Sequence, residues 1–173
     1  MASPPLERRD REFADVFATH RDHMVRLAWL LTSDVHVAED VVADAFAKVH
    51  PRWRRGQVDD VAAYLRRSVV NGANSALRRR YTQRAHERRV TGDDRGIRLL
   101  DDEVADRDQV IAALRQLPDR QRAAVVLRFW ADCTEAQAAD ALGVSIGTVK
   151  SNTARGMHRL REVLGVEQEG VAR

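Results

Sequence analysis

Apolar residues return every three or four positions along most of this chain, with polar and charged residues between them. Phe13, Phe17, Met24, Leu27 and Leu31 keep that spacing and predict an amphipathic helix from Phe13 to Leu31. Thr32 to Asp34 supplies turn and capping residues. A second helix follows through HVAEDVVADAFAKVH, turning Ala38, Val42, Phe46 and Val49 inward, and Pro51 is expected to end it. RWRRGQVDD, Arg52 to Asp60, reads as a loop in which Asp59 or Asp60 caps a third helix, VAAYLRRSVVNGANSALRRR.

From Thr82 to Arg107 the helical period fades. TGDDRG is rich in turn formers, and Asp93, Asp94, Asp101, Asp102, Glu103 and Asp106 accumulate, so this stretch reads as a flexible acidic linker with a short turn at Ile97 to Leu100. Periodicity resumes in DQVIAALRQL, which stops before Pro118. That proline sits at the first turn of the next helix, PDRQRAAVVLRFW. Thr134 and Gln137 have the spacing of a capping box at the head of TEAQAADAL, Gly143 ends that helix, and Ser145 caps the last one. In the last helix Val149, Gly156, Leu160 and Leu164 form an inward side, while Thr148, Ser151, Asn152, Arg155 and Arg159 form an outward one. No strand pattern, internal repeat or low-complexity segment interrupts this, and the expected fold class is all-α: two small helical domains joined by a linker.

Composition agrees. Of 173 residues, 44% are hydrophobic, 32% charged and only 5% aromatic, which suits helices rather than sheets. The net charge is +3, and nearly all the cations are arginine; Lys48 and Lys150 are the lysines. One cysteine, Cys133, excludes an internal disulfide and a multi-cysteine zinc site and is expected to be a small core residue near a helix end. No apolar run approaches membrane-spanning length, and MASPPLERRDRE lacks the apolar core of a signal peptide, so a cytoplasmic protein with no membrane insertion is expected.

The last two helices, joined by LGVS, have the pattern of a helix-turn-helix: a short brace, a glycine able to take positive φ, and a second helix presented outward. In that motif the second helix enters the major groove N-terminal end first, bringing Thr148, Lys150, Ser151, Asn152 and Arg155 to base edges or phosphates. Arg155 has the fork geometry to read guanine through two parallel hydrogen bonds. On the third helix Arg67, Asn71, Asn74 and Arg78 share one face, with Arg79 and Arg80 extending its basic end. Asparagine amides suit the edge of an unpaired base and arginines suit phosphates, but these residues equally describe a solvated basic face. Asn71–Gly72 sits here without alternating hydrophobic flanks, so it reads as close helix packing at Gly72 rather than a hairpin turn. Asp40, Asp44 and Lys48 recur at i, i+4, i+8 on the second helix, either an exposed face with one favourable Asp–Lys pair or a partner surface. Catalysis finds no support: His20 and His23 lack further ligands at metal spacing, and there is no phosphate-cradling glycine loop or nucleophile elbow. No enzyme activity, cofactor or metal is expected.

In order, AEDVVADAFAKVHPRW, AYLRRSVVNGANSALRRR and LPDRQRAAVVLRFWADCTEAQAADALGVSIGTVKSNTARGMHRLRE resemble an extracytoplasmic-function (ECF) RNA polymerase sigma factor of the actinobacterial SigE-like group, over roughly Phe13 to Leu164. The resemblance implies a sigma region 2 domain over 10–81, a linker over 82–107 with no region 3, and a region 4 helix-turn-helix domain over 108–165. It implies binding to core RNA polymerase, at the β′ clamp helices, through Glu39, Asp40, Asp44 and Lys48, with Ala43 where the family often has glutamine. It places the −10 element, as single strand, on the third helix. Asn71 matches a position beside the pocket for a flipped-out base, Tyr64 and Arg67 match its neighbours, and Asn74 and Arg78 continue the face. GTVKS and Arg155 match the −35 reader, whereas Asn152 stands where arginine is frequent and Ala154 where a larger side chain is common. The linker acids would pass along the basic RNA-exit path as a nucleic-acid mimic, or serve as a solvated tether. Twenty extended residues reach roughly 70 Å, about two turns of B-DNA. An anti-sigma factor is a further partner the resemblance raises. A stand-alone helix-turn-helix regulator and a helical adaptor without DNA binding are the competing accounts.

Overall fold

The computed structural model describes residues 6–91 and 108–165. The acidic stretch and the turn expected at Ile97 to Leu100 lie outside the described residues. Helix α1 (Leu6–Thr32), α2 (Val35–Arg54) and α3 (Val61–Thr91) form the first half. The second comprises α4 (Asp108–Arg115), α5 (Asp119–Val125) running into a π-helical segment (Val126–Trp130), α6 (Glu135–Leu142) and α7 (Ile146–Leu164). No strand occurs among the described residues, and none of their helices is long and apolar enough to cross a membrane.

Helix α1 lays Met24, Leu27 and Leu31 against α2 and α3, all nearly solvent-free. Phe17, predicted inward, is 40% exposed because it sits at the rim, edge-on to Phe46 at 4.8 Å between ring centroids. The turn after α1 is short because Ser33 takes a left-handed φ of 57° and Asp34 caps α2, its side chain accepting from Val37 N–H.

Pro51 does not end α2, which continues one turn to Arg54. Proline costs a helix one N–H bond and crowds the preceding turn. Here α1 secures the extra turn: Arg9 donates to the carbonyls of Trp53 (2.7 Å) and Arg54 (3.1 Å), while the Trp53 indole donates to the Arg9 carbonyl. Asp60 caps α3 by accepting from Ala63 N–H at 2.8 Å. Gly72 is where α3 crosses α2 closely, since a Cβ there would lie 2.8 Å from Val41 Cγ1.

Helix α3 also outruns its expected end at Arg80, reaching Thr91, so residues 82–91 are helical rather than linker. The apolar period fades here without the helix unwinding. Gln83, Ala85, Glu87 and Arg88 are good helix formers, and neither glycine nor proline intervenes before Gly92.

In the second half α7 packs on α4, α5 and α6. Pro118 occupies the N-cap of α5, one position earlier than expected. The helix that follows widens into the π segment at Val126–Trp130, a feature the apolar spacing did not distinguish from ordinary helix. Thr134 and Gln137 form both arms of the capping box. Gly156 meets α5 so closely that a Cβ would lie 2.7 Å from Val125 Cγ2. The halves are not separate bodies. A single buried cluster runs from Met24, Leu27, Leu65 and Val69 into Ala123, Leu127, Cys133, Ala138 and Val149, and α6 lies against α3.

Candidate nucleic-acid and polymerase interfaces

The turn between α6 and α7 is built by its residue types. Gly143 takes φ 64°, its N–H reaching the Asp140 carbonyl at 3.2 Å and Val144 N–H the Ala139 carbonyl at 3.1 Å, which closes the end of α6. Ser145 Oγ accepts from Thr148 N–H at 3.1 Å and starts α7. Val149, fully buried, fixes the rotation of α7, so its opposite side faces outward.

On that side Lys150, Ser151 and Arg155 are exposed, and Thr148 and Asn152 are half-buried. Apart from Lys150, which reaches across to α6, these groups bond to their own helix or its cap. Ser151 Oγ and Asn152 Nδ2 donate to the Thr148 carbonyl (3.1 and 3.0 Å), and Arg155 donates to the Ser151 carbonyl and hydroxyl (both 3.2 Å). Lys150 pairs with Glu135 at 3.4 Å. The Arg155 fork is therefore held along the helix, positioned but available, since such exposed bonds exchange readily for others.

Helix α3 places Arg67, Asn71, Asn74 and Arg78 along one exposed line. Among the described residues, neither Asn71 nor Asn74 has a side-chain partner. Tyr64, half-buried at the head of this line, accepts a hydrogen bond from Arg52, whose guanidinium also lies 5.5 Å over the ring. Arg52, at the end of α2, thus orients a residue of the −10 candidate set. No local pattern marked it, because the partners come from different elements. Glu39, Asp40, Asp44 and Lys48 are all exposed on α2, away from α1 and α3.

Among the described residues several side-chain contacts join the halves, and the chain's spacing signalled none of them; in one, the Arg115 guanidinium of α4 lies 5.6 Å over the Trp29 ring of α1. Arg122 is only 6% exposed; it donates to the Leu31 carbonyl at 2.6 Å, at the C-terminal end of α1, and pairs with Asp119 at 2.9 Å. Arg67 pairs with Asp140 of α6 at 3.3 Å. His23 stacks on Trp130 with ring centroids 4.4 Å apart and planes 20° from parallel. The residue as a whole stays exposed, yet burial of the ring lowers its pKa from the usual 6.5, with His20, Arg66 and Arg26 adding positive charge around it. Cys133 is buried, as its type suggested; burial raises its thiol pKa, and Arg66 and Arg128 offset part of that rise. Among the described residues no three His, Cys, Asp or Glu side chains gather as metal ligands would.

A helix-turn-helix with an outward donor row, beside a three-helix unit with a second polar line, has the form of a helical DNA-binding protein. The sequence matches a model of sigma-70 region 2 over residues 16–82 and one of sigma-70 region 4 over residues 107–160. Its relatives include an RNA polymerase sigma-E factor of Streptomyces antibioticus, 34% identical over 155 residues, with 88% of this chain and 84% of that one covered. The ECF sigma factor SigM of Mycobacterium tuberculosis is 35% identical over 163 residues, covering 92% of this chain and 80% of the relative. Among solved structures, the sigma factor RpoE in complex with the anti-sigma factor NepR from Bartonella quintana superposes with a TM-score of 0.73 at 25% identity, covering 91% of this chain and 99% of that one. The chain belongs to the ECF sigma factors of RNA polymerase. It is an alternative sigma factor that directs transcription initiation.

Proposed function

We propose that this sigma factor reads its promoter with two faces and meets core polymerase with a third. Thr148, Lys150, Ser151, Asn152 and Arg155 enter the −35 major groove. Tyr64, Arg67, Asn71, Asn74 and Arg78 hold the melted −10 strand. Glu39, Asp40, Asp44 and Lys48 dock on the β′ clamp helices. The observation that carries this assignment is the pair of exposed polar rows, one on α3 and one on α7, in a chain of this family. Duplex is read by arginine and small donors at base edges. A base leaving the stack costs a few kcal/mol, which amide hydrogen bonds and stacking offset. The unpartnered amides of Asn71 and Asn74 suit that task, and the Arg52–Tyr64 pair presents a stacking surface next to them.

On this reading the protein performs no covalent chemistry, uses no cofactor and works in the cytoplasm beside the polymerase. The domain division follows the two family matches, with the first unit extended through the end of α3. An anti-sigma factor is a fitting partner, because the sigma factor of similar structure is held by one.

The test is to mix the protein with sigma-free core polymerase and a genomic promoter library and to sequence the transcripts. Discrete start sites sharing two upstream motifs are expected. Asn71→Ala should then lower promoter opening, read by permanganate footprinting, while core affinity holds. Reversing the charges of Asp40 and Asp44 should weaken core association. Absence of specific transcripts alongside a working control sigma would overturn the assignment.

A further inference from the structure

Resting on the promoter-reading assignment above, we propose that Glu135, on the brace helix α6, is a positioning residue of the −35 reader: it holds Lys150 for base edges and withholds it from the DNA phosphates. Lys150 is the reader side chain that pairs with another helix, its Nζ standing 3.4 Å from Glu135 Oε2. Thr148, Ser151, Asn152 and Arg155 bond within α7 or to its cap. Helical geometry puts Lys150 at the edge of the reading row. At about 100° per residue it lies one step round from buried Val149, and Ser151 lies two. Lys150 therefore stands between the inward side of α7 and its outward side, on the flank that Glu135 reaches.

A lysine in that place is a point charge on a flexible stem, and a duplex offers it phosphates along both walls of the groove. Phosphate contact would raise affinity for every sequence alike, because phosphates carry no base identity. Glu135 opposes this in two ways. Its carboxylate gives Nζ a fixed partner, and its own charge beside the groove repels any phosphate that approaches. In the free protein the pair is weak, since the lysine and glutamate side chains are 61% and 40% exposed. Docking on DNA removes water from around it, and the attraction grows as the local dielectric falls. The ammonium group keeps further N–H donors, which suit acceptors such as guanine O6 and N7. The cap of α6 does not occupy Glu135, because Thr134 and Gln137 complete the capping box between them. A negative charge in the first turn also favours the helix dipole, but that role would act on stability alone. By this arrangement the reader gives up general affinity in exchange for selectivity.

The test uses holoenzyme assembled from the full chain and core polymerase, titrated over a series of salt concentrations. Its probes are a promoter fragment taken from the transcript library and a non-promoter duplex of equal length. Glu135→Gln should tighten binding to the non-promoter duplex roughly fivefold near 0.15 M salt, and should steepen the plot of log affinity against log salt by about 0.9, as one more neutralised phosphate would. Preference for the promoter fragment should fall by a similar factor. Lys150→Ala in the otherwise native chain should leave the slope unchanged and lower discrimination at one −35 base pair. In the Glu135→Gln background the same substitution should reduce the slope by about 0.9. Equal loss of slope in both backgrounds would put Lys150 on phosphate from the start, and no loss in either would detach it from the Glu135 effect; both overturn the proposal. So would a Glu135→Gln variant whose melting temperature falls while slope and preference hold, because Glu135 would then serve α6 alone. A wild-type holoenzyme with no preference for the promoter fragment would instead overturn the promoter-reading assignment.

Discussion

The first half of the molecule is held by long helices and large side chains, the second by three short helices packed with small side chains around the longer α7. Helices α1, α2 and α3 have 27, 20 and 31 residues and bury Met24, Leu27, Phe46 and Leu65. Helices α4, α5 and α6 have 8, 7 and 8 residues, and their interior is largely Ala113, Ala123, Ala124, Ala138, Ala139 and Ala141. Helices this short are not stable alone in water. They depend on their caps, on close backbone approach and on the cluster shared with the first half. The half that matches sigma-70 region 4 is thus the one whose shape depends most on local turn chemistry and on its neighbour. The half that matches sigma-70 region 2 rests on a conventional three-helix core.

The comparison can be broken most strongly at the shared core. Leu127→Ala removes a fully buried side chain from the π segment and should cost about 2–5 kcal/mol. If the halves share that core, thermal unfolding followed by near-ultraviolet circular dichroism should shift as one transition rather than split into two. Next comes the close approach of α7 to α5. Gly156→Ala drives a Cβ against Val125 and the Gln121 carbonyl and should cost about 1–3 kcal/mol in urea unfolding. Gly72→Ala, which meets only the Val41 side chain, should cost less, because the gain in helix propensity offsets part of the clash.

The readers should respond differently as well. Arg155→Ala should relax selectivity at one −35 base pair by about 1–3 kcal/mol, measured by binding to a set of single-base variants. Ser145→Ala, which removes the α7 cap, should destabilise the protein by about 1 kcal/mol, with the largest loss of hydrogen-exchange protection in the first turn of α7.

The smallest effect concerns pH. His23 has a lowered pKa while it stacks on Trp130, so above 6.5 it is neutral whether the halves are docked or apart. As pH falls below 6.5 the separated form takes up the proton first, and docking weakens until the lowered pKa of the docked form is passed. Trp130 emission followed between about pH 7.5 and 5.5 should report that loosening, and His23→Phe should abolish it.

Much of the architecture was legible because it is local. The capping pair Thr134–Gln137, the positive φ at Gly143, the Ser145 cap and the close packing at Gly72 are properties of residue types at fixed offsets. The exposed rows on α2, α3 and α7 follow from helical period, since a buried row fixes the opposite one. Errors arose where a neighbour overruled local preference. Pro51 stays inside α2 because Arg9 and Trp53 tie its last turn to α1, forty-four residues away in sequence. The end of α3 was misplaced because residues 82–91 carry no clear apolar period, although several of them are good helix formers.

By itself the sequence determined most of the helices, their caps, the order of the two sigma-region units and the polar rows they present, because each depends on contacts within a turn or two of chain. Only the tertiary structure decided that the two units dock, that Arg67 faces Asp140, that Arg122 reaches the end of α1 and that Arg52 holds Tyr64. Those pairings join residues between 12 and 91 positions apart. No periodicity encodes such a distance; it is set by how the apolar faces of the described helices find one another in the core.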